Sequence, residues 1–526
     1  MSCSSNDKPK AEEDVFEHLS APVECVQDYV PGGLHPVHLG DMVGRYKMLR
    51  KLGYGGYSTV WLAQDISLIN SDTGGYVALK IVRADRDCAK EIQCYDTLRT
   101  SSGRHPGASY IMMLLDYFTI QGPNGKHDCL AYEVLGPSIA SVVRDSDGMD
   151  TTAYLTLPSA RKIIYQVLLA LDYIHSVGLV HGDIYHGNVL FILRDLSQES
   201  SDDLCQPHSQ VSADVKRIKG SRQPGDIRRL TLDWPLNELI SPKGDVKLSD
   251  LGNSFFKHDP PSKPEAPLEY RSPEIILDNR ISMAQDCWAF ACFAYSLLTN
   301  TSLFDLAFLY DENAQNDEHL LQLFSLLGPL PAWLKQSWPR YDVYFNENGQ
   351  PQKFIVDDDA FSYSELDDLP EEDHQSTPQD TESDGHQQQL DEVLSNRNRL
   401  GKPHEFFDPD LYPSIVTLRE RKQRKAREDP RSLADFVALY PPLSEKWSFE
   451  KHPDMQSAES ELALDFLQGL LTYEPDRRPS TKELLQHAWI RTYCASDEQT
   501  VQKAEIPPRN KRKRSTKANE SESDEM

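Results

Sequence analysis

The chain has few features of a membrane-spanning or secreted protein. Its 526 residues are 39% apolar, and no apolar run approaches the length of about 20 residues that crosses a bilayer. The first ten residues are polar, so we expect no secretory signal and no membrane partner. Nine cysteines are scattered without a C-x-x-C pair. Their odd number and spacing argue against a disulfide framework or zinc site and predict free thiols in a reducing compartment.

Positive charge is also scarce. The chain carries 55 Lys and Arg against 82 Asp and Glu, a formal net charge of −27 at pH 7. Proteins bind DNA and RNA largely through basic residues, so we expect no direct nucleic-acid partner. An acidic surface instead suits a partner rich in arginine. Residues 357–384 alone hold twelve acidic residues and no basic one, which predicts disorder. A second interpretation of this segment, an acidic loop that only aids solubility, stays open.

One compact basic block stands near the C-terminus. Five of the six residues from Arg509 to Arg514 are Lys or Arg. Such a composition is typical of a nuclear import signal. Acidic residues between 520 and 525 weaken its field. From this block we expect nuclear as well as cytoplasmic localisation.

The most informative run is His181–Asn188, which directly follows an apolar stretch. In it Asp183 and Asn188 stand five residues apart on what is expected to be a short loop. The run matches H-x-D-x-x-x-x-N. A match of this length arises by chance in many long chains, so its interpretation depends on other motifs in order.

A glycine-rich run lies upstream. Gly53 and Gly55 would let the backbone approach a triphosphate without a Cβ in the way. Thr59, Val60 and Trp61 suit the returning strand of a hairpin. Ser58 stands at the third position of a G-x-G-x-x-G pattern, where a small side chain still fits. Taken alone, an ordinary hairpin explains the run equally well.

The apolar strand predicted over Tyr76–Val82 has Lys80 in its middle. A lysine buried in an apolar strand is costly unless it is paired. Glu91, on a helix predicted over Cys88–Leu98, can supply the partner. The alternative is an edge strand with Lys80 facing water, which the preceding glycine loop disfavours.

Further motifs follow downstream in a fixed order. In the run Asp245–Gly252, Asp250-Leu251-Gly252 matches a metal-binding D-x-G turn, although such turns are common. Three more follow toward the C-terminus: Ser272-Pro273-Glu274, Asp286-Cys287-Trp288 and Arg477-Arg478-Pro479. So many signals in one order make coincidence negligible.

Together these motifs resemble those of eukaryotic protein kinases. Four features resemble those of the serine/arginine-rich (SR) protein kinase family, in particular its divergent fungal members. They are the run Asp28–Val37, Ser58 in place of the third glycine, the segment Tyr132–Gly136, and Leu251 in the D-L-G. The resemblance spans roughly Asp28 to Thr492.

The resemblance implies an α+β, two-lobed protein kinase fold with disordered insertions. The implied organisation is a disordered N-terminus over 1–27, an N-lobe to hinge over 28–135, a helical C-lobe over 136–492, and a disordered tail over 493–526. A spacer-like insert over 194–243 and an acidic insert over 350–400 interrupt the C-lobe. From the residues themselves, a C-lobe helix is predicted over Ser159–Leu171, starting at Pro158. In this fold Glu274 would pair with Arg478, and Asp286 would hold the catalytic-loop backbone.

The implied activity is Mg²⁺- and ATP-dependent phosphorylation of Ser or Thr in a protein substrate with Arg-rich or Arg-Ser segments. The implied catalytic residues are Asp183, Lys80, Glu91 and Asn188, and the implied metal ligands are Asn188 and Asp250. The implied ATP-binding residues are Leu52, Gly53, Gly55, Ser58, Val60, Ala78, Lys80, Glu133, Leu135, Leu190 and Asp250. A monomer is expected.

The chain departs from the family at two places. Tyr185 stands where the family has a Lys, and His186 is the nearest candidate to replace that cation. Glu318 matches an acidic position that docks arginine, but Ser325 stands where the family has a second Glu. Tyr185 leaves open a catalytically inactive scaffold. A small-molecule kinase of the aminoglycoside phosphotransferase type shares the catalytic-loop motif but would not carry the Glu274, Asp286 and Arg478 motifs together.

Overall fold

The computed structural model describes most of the chain in ten stretches. They are residues 24–68, 75–101, 105–144, 155–197, 199–206, 239–263, 265–277, 280–306, 312–350 and 441–495, together with two short strands at 15–16 and 217–219. The predicted acidic insert lies almost entirely outside them, as do the basic block and much of the spacer-like insert. Within these stretches no helix is both long and apolar enough to cross a membrane.

The β-strands lie mainly in the first third of the chain. They are β1 Val15–Phe16, β2 Met42–Val43, β3 Tyr46–Gly55, β4 Ser58–Asp65, β5 Tyr76–Val82, β6 Leu114–Gly122, β7 Gly125–Tyr132, β8 Leu179–Val180, β9 Val189–Phe191, β10 Arg217–Lys219, β11 Val246–Leu248 and β12 Phe255–Phe256.

The α-helices lie mainly in the rest of the chain. They are α1 Ala89–Ser101, α2 Ile139–Arg144, α3 Leu157–Ser176, α4 Ser201–Leu204, α5 Pro273–Leu277, α6 Met283–Thr299, α7 Glu312–Leu327, α8 Ala332–Ser337, α9 Tyr341–Tyr344, α10 Leu443–Glu450, α11 Ser457–Leu470 and α12 Thr481–Leu484.

A six-stranded antiparallel sheet forms the small upper lobe, in the order β2-β3-β4-β5-β7-β6. Side chains alternate between its faces along β5. Val77, Leu79 and Ile81 pack in a cluster on one face. Ala78 belongs to the main core on the other face. Lys80 shares the face of Ala78, and this alternation turns its ammonium group toward α1.

Two long helices form the centre of the lower lobe. α3 begins after Thr156, whose side chain accepts a hydrogen bond from the Ser159 backbone. The predicted helix is confirmed, but it begins at Leu157 and runs to Ser176, because Thr156 rather than Pro158 marks its start. α6 is buried along nearly its whole length, as its continuous run of apolar residues requires.

The start of the spacer-like insert packs on the upper sheet. The Gln206 backbone donates to the Leu49 carbonyl at 2.9 Å, and the Gln206 side chain accepts from the Lys51 backbone at 3.2 Å. Arg50 Nε donates to the Leu204 carbonyl at 3.0 Å. The segment that follows β9 therefore reaches back to β3 and links the two lobes.

The described chain begins inside the segment predicted to be a disordered N-terminus. Glu24 is buried there, accepts a hydrogen bond from the Tyr29 hydroxyl and forms an ion pair with the buried Lys51. A buried lysine needs such a partner. Glu24 therefore contacts the upper sheet although it precedes residue 28, where the N-lobe is predicted to begin, and that boundary stays a prediction.

Candidate active site

Lys80 on β5 lies between two carboxylates. Its Nζ is 3.1 Å from both oxygens of Glu91 on α1 and 3.1 Å from Asp250 Oδ1. The predicted pairing of Lys80 with Glu91 is confirmed. Burial alone would lower the pKa of Lys80, but the charges of Asp250 and Glu91 outweigh it and hold this pKa above its ordinary value. Lys80 is therefore a fixed positive charge at this place.

Glu91 has a second partner that the sequence did not indicate. The hydroxyl of Tyr132, at the end of β7, donates to Glu91 Oε1 at 2.6 Å. Both side chains are buried. Burial and the charge of Glu91 raise the pKa of Tyr132 well above its ordinary value, so its hydroxyl stays protonated and remains a donor.

Asp250 occupies a strained backbone position. Its φ of +59° lies in the left-handed region, which Asp tolerates better than most residues. The Gly252 backbone donates to Asp250 Oδ1 at 3.2 Å, and a Cβ on Gly252 would lie 3.1 Å from that same oxygen. The charge of Lys80 holds the pKa of Asp250 below its ordinary value. Asp250 is therefore an ionised carboxylate in a tight turn.

Asp183 is buried, and only one of its oxygens is bonded. Asp183 Oδ2 accepts hydrogen bonds from the side-chain amides of Asn188 and Asn253, both at 3.1 Å. Asp183 Oδ1 has no hydrogen-bond partner among the residues that the structure describes. Burial, followed by the negative charge of Asp250, raises the pKa of Asp183 to about 7. Asn253 is a contact that the sequence analysis missed.

The backbone before Asp183 is fixed by a carboxylate from α6. Asp286 accepts the His181 backbone N–H at 2.8 Å and the Gly182 N–H at 2.9 Å. The ring of His175 lies 2.8 Å from the same carboxylate. The expected role of Asp286 in holding this loop is confirmed.

A buried ion pair braces the lower lobe. Arg478 Nη1 and Nη2 donate to the two oxygens of Glu274 at 2.6 and 2.7 Å, and neither side chain is exposed. The predicted pairing is confirmed. Two parallel hydrogen bonds satisfy both charged groups, as burial requires.

His186 does not replace the missing lysine at Tyr185. Its Nδ1 lies 2.8 Å from the Tyr270 hydroxyl, and its Nε2 lies 2.9 Å from the Ser296 hydroxyl. Both ring nitrogens thus bond lower-lobe hydroxyls, so neither bonds a phosphate in this arrangement, contrary to the expectation that His186 replaces that cation. Tyr185 itself has an extended backbone just before the short turn His186–Asn188.

The glycine loop is the hairpin between β3 and β4. Gly55 pairs with Ser58 across it, and Val60 pairs with Lys80 on β5. A Cβ on Gly53 or Gly55 would meet no atom of the described residues within 4 Å. Packing within the described structure therefore does not require glycine at either position, whereas a group bound under the loop would.

The remaining residues of the predicted nucleotide site lie on neighbouring elements. Leu52 and Leu135 are buried, and Leu190 on β9 is partly buried. Glu133 follows β7, and its carboxylate accepts two hydrogen bonds from Lys247 Nζ at 2.7 Å. This ion pair fixes the segment after β7 against the strand that leads to Asp250.

The acidic residues expected to dock arginine lie in the middle of α7, and they differ in exposure. Asp317 is buried and accepts hydrogen bonds from Trp338 and Tyr344, so it serves the packing of the lower lobe. Glu318 is partly exposed. Ser325 is buried and bonds the Leu321 carbonyl, so that position does not face solvent in this protein.

Comparison with known families and proteins identifies this arrangement. The family described as "Protein kinase domain" matches residues 46–196 and 235–490. The chain is 29% identical to protein kinase dsk1 of Schizosaccharomyces pombe, over 66% of this chain and 78% of that protein. It is 31% identical to serine/threonine-protein kinase SRPK of Physarum polycephalum, over 62% of this chain and 77% of that protein.

A solved structure gives the same fold. The crystal structure of the PF14_0431 kinase domain aligns with a TM-score of 0.50 and 19% sequence identity, covering 86% of this chain and 98% of that one. The predicted two-lobed α+β fold is thereby confirmed. The chain belongs to the protein kinase family, among the SR protein kinases of the divergent fungal type, and is a serine/threonine protein kinase.

Proposed function

We propose that the protein transfers the γ-phosphoryl group of ATP to Ser or Thr in Arg-rich substrates, with Asp183 as the base. One observation carries the proposal. Asp183 is buried with Oδ2 bonded to Asn188 and Asn253, while Oδ1 has no partner in the described part of the chain. A buried carboxylate oxygen without a partner is costly, so its retention favours a group that arrives with the substrate. A hydroxyl that donates to Oδ1 fits this requirement, and Oδ1 then accepts its proton.

A second group of charged and polar residues would bind the phosphates of ATP. Lys80, fixed by Glu91, would hold the phosphates in place, and Asp250 and Asn188 would hold Mg²⁺. Asn188 donates both of its side-chain hydrogen bonds through nitrogen, to the carbonyl and the carboxylate of Asp183, which leaves its amide oxygen for a metal. Among the described residues no cluster of three or more His, Cys, Asp or Glu could hold a metal alone. Mg²⁺ commonly uses one or two protein oxygens plus phosphates and water, so the donor set fits. When bound, Mg²⁺ neutralises phosphate charge.

The base of ATP has a separate set of partners in this proposal. The backbone of Glu133 and Leu135 bonds its polar edge. The apolar lining comes from side chains of both lobes: Leu52, Val60, Ala78 and Leu190. Gly53, Gly55 and Ser58 leave room for the phosphates. Most of the rate enhancement then comes from positioning and electrostatics, because phosphoryl transfer asks little covalent chemistry of the protein.

The experiment that tests the proposal is transfer of labelled phosphate from ATP to an Arg-Ser peptide. We expect transfer by the wild type and loss of at least about a hundredfold in Lys80→Met and Asp250→Ala, because each removes a charge that acts on the transferring group. Undiminished transfer by Asp250→Ala contradicts the assignment. A wild type that binds nucleotide but transfers nothing supports the inactive scaffold that Tyr185 leaves open.

The preference for arginine is tested separately. A strongly acidic chain and the partly exposed Glu318 favour peptides with Arg flanking the target Ser. We expect the preference to weaken as salt rises, because exposed charges are screened over about 8 to 10 Å at 0.1 to 0.15 M salt. A profile with neutral or acidic flanks, or a preference insensitive to salt, rejects this part of the proposal.

We also propose that the kinase acts as a monomer in both cytoplasm and nucleus. The support for nuclear entry is the composition of the basic block at 509–514. Replacing its Lys and Arg by Ala in a fluorescent fusion should reduce the nuclear fraction. An unchanged distribution contradicts the assignment of this block.

A further inference from the structure

The first turn of α1 is attached to the sheet through two strands. Glu91 accepts hydrogen bonds from Lys80 Nζ on β5 and from the Tyr132 hydroxyl on β7. The bond from Tyr132, at 2.6 Å, is shorter than the 3.1 Å contacts with Lys80. A hydroxyl bonded to a carboxylate is charge-assisted and stronger than a bond between neutral groups. Glu91 is thus held from two directions.

The position of Tyr132 is itself rigid. It pairs with Ala78 of β5 on one side and with Leu114 of β6 on the other. Its ring is buried and lies 5.5 Å from the ring of Tyr95 on α1, tilted by 57°. The hydroxyl therefore projects from a fixed strand toward the helix, and little entropy is lost when it bonds.

The core packing of Cys94, Tyr95 and Leu98 holds the body of α1, and the other polar contacts between α1 side chains or carbonyls and the rest of the described chain are weaker or lie at its far end. The hydroxyl of Tyr173 bonds the Leu98 carbonyl near the C-terminus of the helix. Near the first turn, Lys90 meets Asp259 at 3.2 Å, but both groups are exposed. Exposed pairs of this kind contribute little. The placement of Glu91 consequently depends on Lys80 and Tyr132.

We propose that Tyr132 is a positioning residue that keeps α1 and Glu91 in place, and so keeps Lys80 aligned before any nucleotide binds. The proposal rests on the proposed function for its effect on catalysis. If α1 moves outward, Lys80 keeps Asp250 but loses Glu91, and the buried Tyr132 hydroxyl loses its acceptor. A buried polar group without a partner is costly. The structure thereby holds the catalytic arrangement through its own side chains.

The test is Tyr132→Phe, which keeps the ring and removes only the hydroxyl. Tyr95→Phe is the matched control, because it removes a neighbouring buried hydroxyl and leaves the bond between Tyr132 and Glu91 in place. Amide hydrogen exchange over Ala89–Ser101 is measured on the nucleotide-free proteins. Kinetics with ATP and an Arg-Ser peptide are measured on the same three proteins.

We expect amide exchange in the first turns of α1 to accelerate about tenfold in Tyr132→Phe. This factor corresponds to the free energy of one hydrogen bond to a charged group. The kcat/KM for ATP should fall by a similar factor while the KM for the peptide is unchanged, since the peptide does not contact α1 in this proposal. Tyr95→Phe should exchange like the wild type. Exchange in Tyr132→Phe equal to the wild type, or equal acceleration in both variants, overturns the proposal. A wild type without phosphoryl transfer removes the proposed function, and the exchange result still decides the role of Tyr132.

Discussion

The ring of Tyr185 lies directly over Gly187. A Cβ built on Gly187 would fall 2.4 and 2.6 Å from two ring carbons of Tyr185 and 2.6 Å from its hydroxyl oxygen. These distances are well inside van der Waals contact, so no side chain fits at residue 187 while the ring holds this position. Tyr185, which stands in place of the lysine, and Gly187 two residues later therefore form one packing unit.

This relationship predicts a strong coupling between the two positions. Gly187→Ala should destabilise the protein by about 1–3 kcal/mol, because the new methyl group overpacks against the ring. In a Tyr185→Ala background the same change should be close to neutral, since the ring is gone. A double-mutant cycle by urea denaturation measures the coupling. Equal costs of Gly187→Ala in both backgrounds would show that the ring does not occupy this place.

Tyr185 also affects the expected turnover number. The lysine that Tyr185 replaces would bring a cation to the transferring phosphoryl group in a partly dehydrated site. We expect ordinary ATP affinity, set by Lys80, Asn188 and Asp250, and a low turnover number. Tyr185→Lys should raise kcat on the order of tenfold with little change in ATP affinity, because the added charge acts mainly in the transition state.

Tyr185→Phe is the control for that comparison. It keeps a ring over Gly187 and adds no charge, so its kcat should stay near that of the wild type. A kcat that is flat or lower in Tyr185→Lys would mean that catalysis depends on the packed ring or is vestigial. Because both ring nitrogens of His186 bond Tyr270 and Ser296, a bond from His186 to the phosphoryl group would require the ring to leave these partners.

Local patterns predicted the parts of this site that depend on local order. The strand Tyr76–Val82 has the predicted bounds, because apolar residues surround Lys80 and a buried lysine requires a partner. Glu91 was predicted as that partner because it lies on the helix predicted to follow, and the structure places it in the first turn of α1. Charged residues of this kind can be recognised from the sequence, because an ionisable group inside an apolar run is rare.

Neutral side chains that bond these carboxylates from far along the chain left no such signal. Tyr132 is 41 residues from Glu91, and Asn253 is 70 residues from Asp183. Each looks like an ordinary strand or turn residue until the fold brings its partner within 3.1 Å. The contact between Tyr185 and Gly187 was visible in principle, because the ring and the glycine stand two residues apart.

The activation segment provides a prediction about regulation. Gly182 stands where phosphorylation-regulated kinases carry an arginine that binds an activation-loop phosphate. Its φ is +81°, and a Cβ there would lie 2.8 Å from the Asn253 carbonyl oxygen, so the position is built for glycine. We therefore expect full activity without phosphorylation of residues 250–274. Phosphatase treatment, verified by mass spectrometry, should leave the initial rate within about twofold of that of the untreated protein, because the segment needs no bound phosphate to become ordered. Loss of activity that returns on rephosphorylation would contradict this.

Asp183 provides the last prediction, through the pH dependence of stability. Its pKa is raised from an ordinary 3.8 to about 7, first by burial and then by the charge of Asp250. The folded protein therefore binds this proton more tightly than the unfolded chain does. The resulting stabilisation is complete below about pH 4 and is lost as pH rises toward 7, by up to about 1.4 kcal/mol per pH unit.

Asp183→Asn is always neutral, so its stability relative to the wild type should increase between pH 5 and pH 8. Urea denaturation without nucleotide or metal measures this, with Asp476→Asn as an exposed control. A constant difference between Asp183→Asn and the wild type across that range would mean that the carboxylate is not penalised by its surroundings.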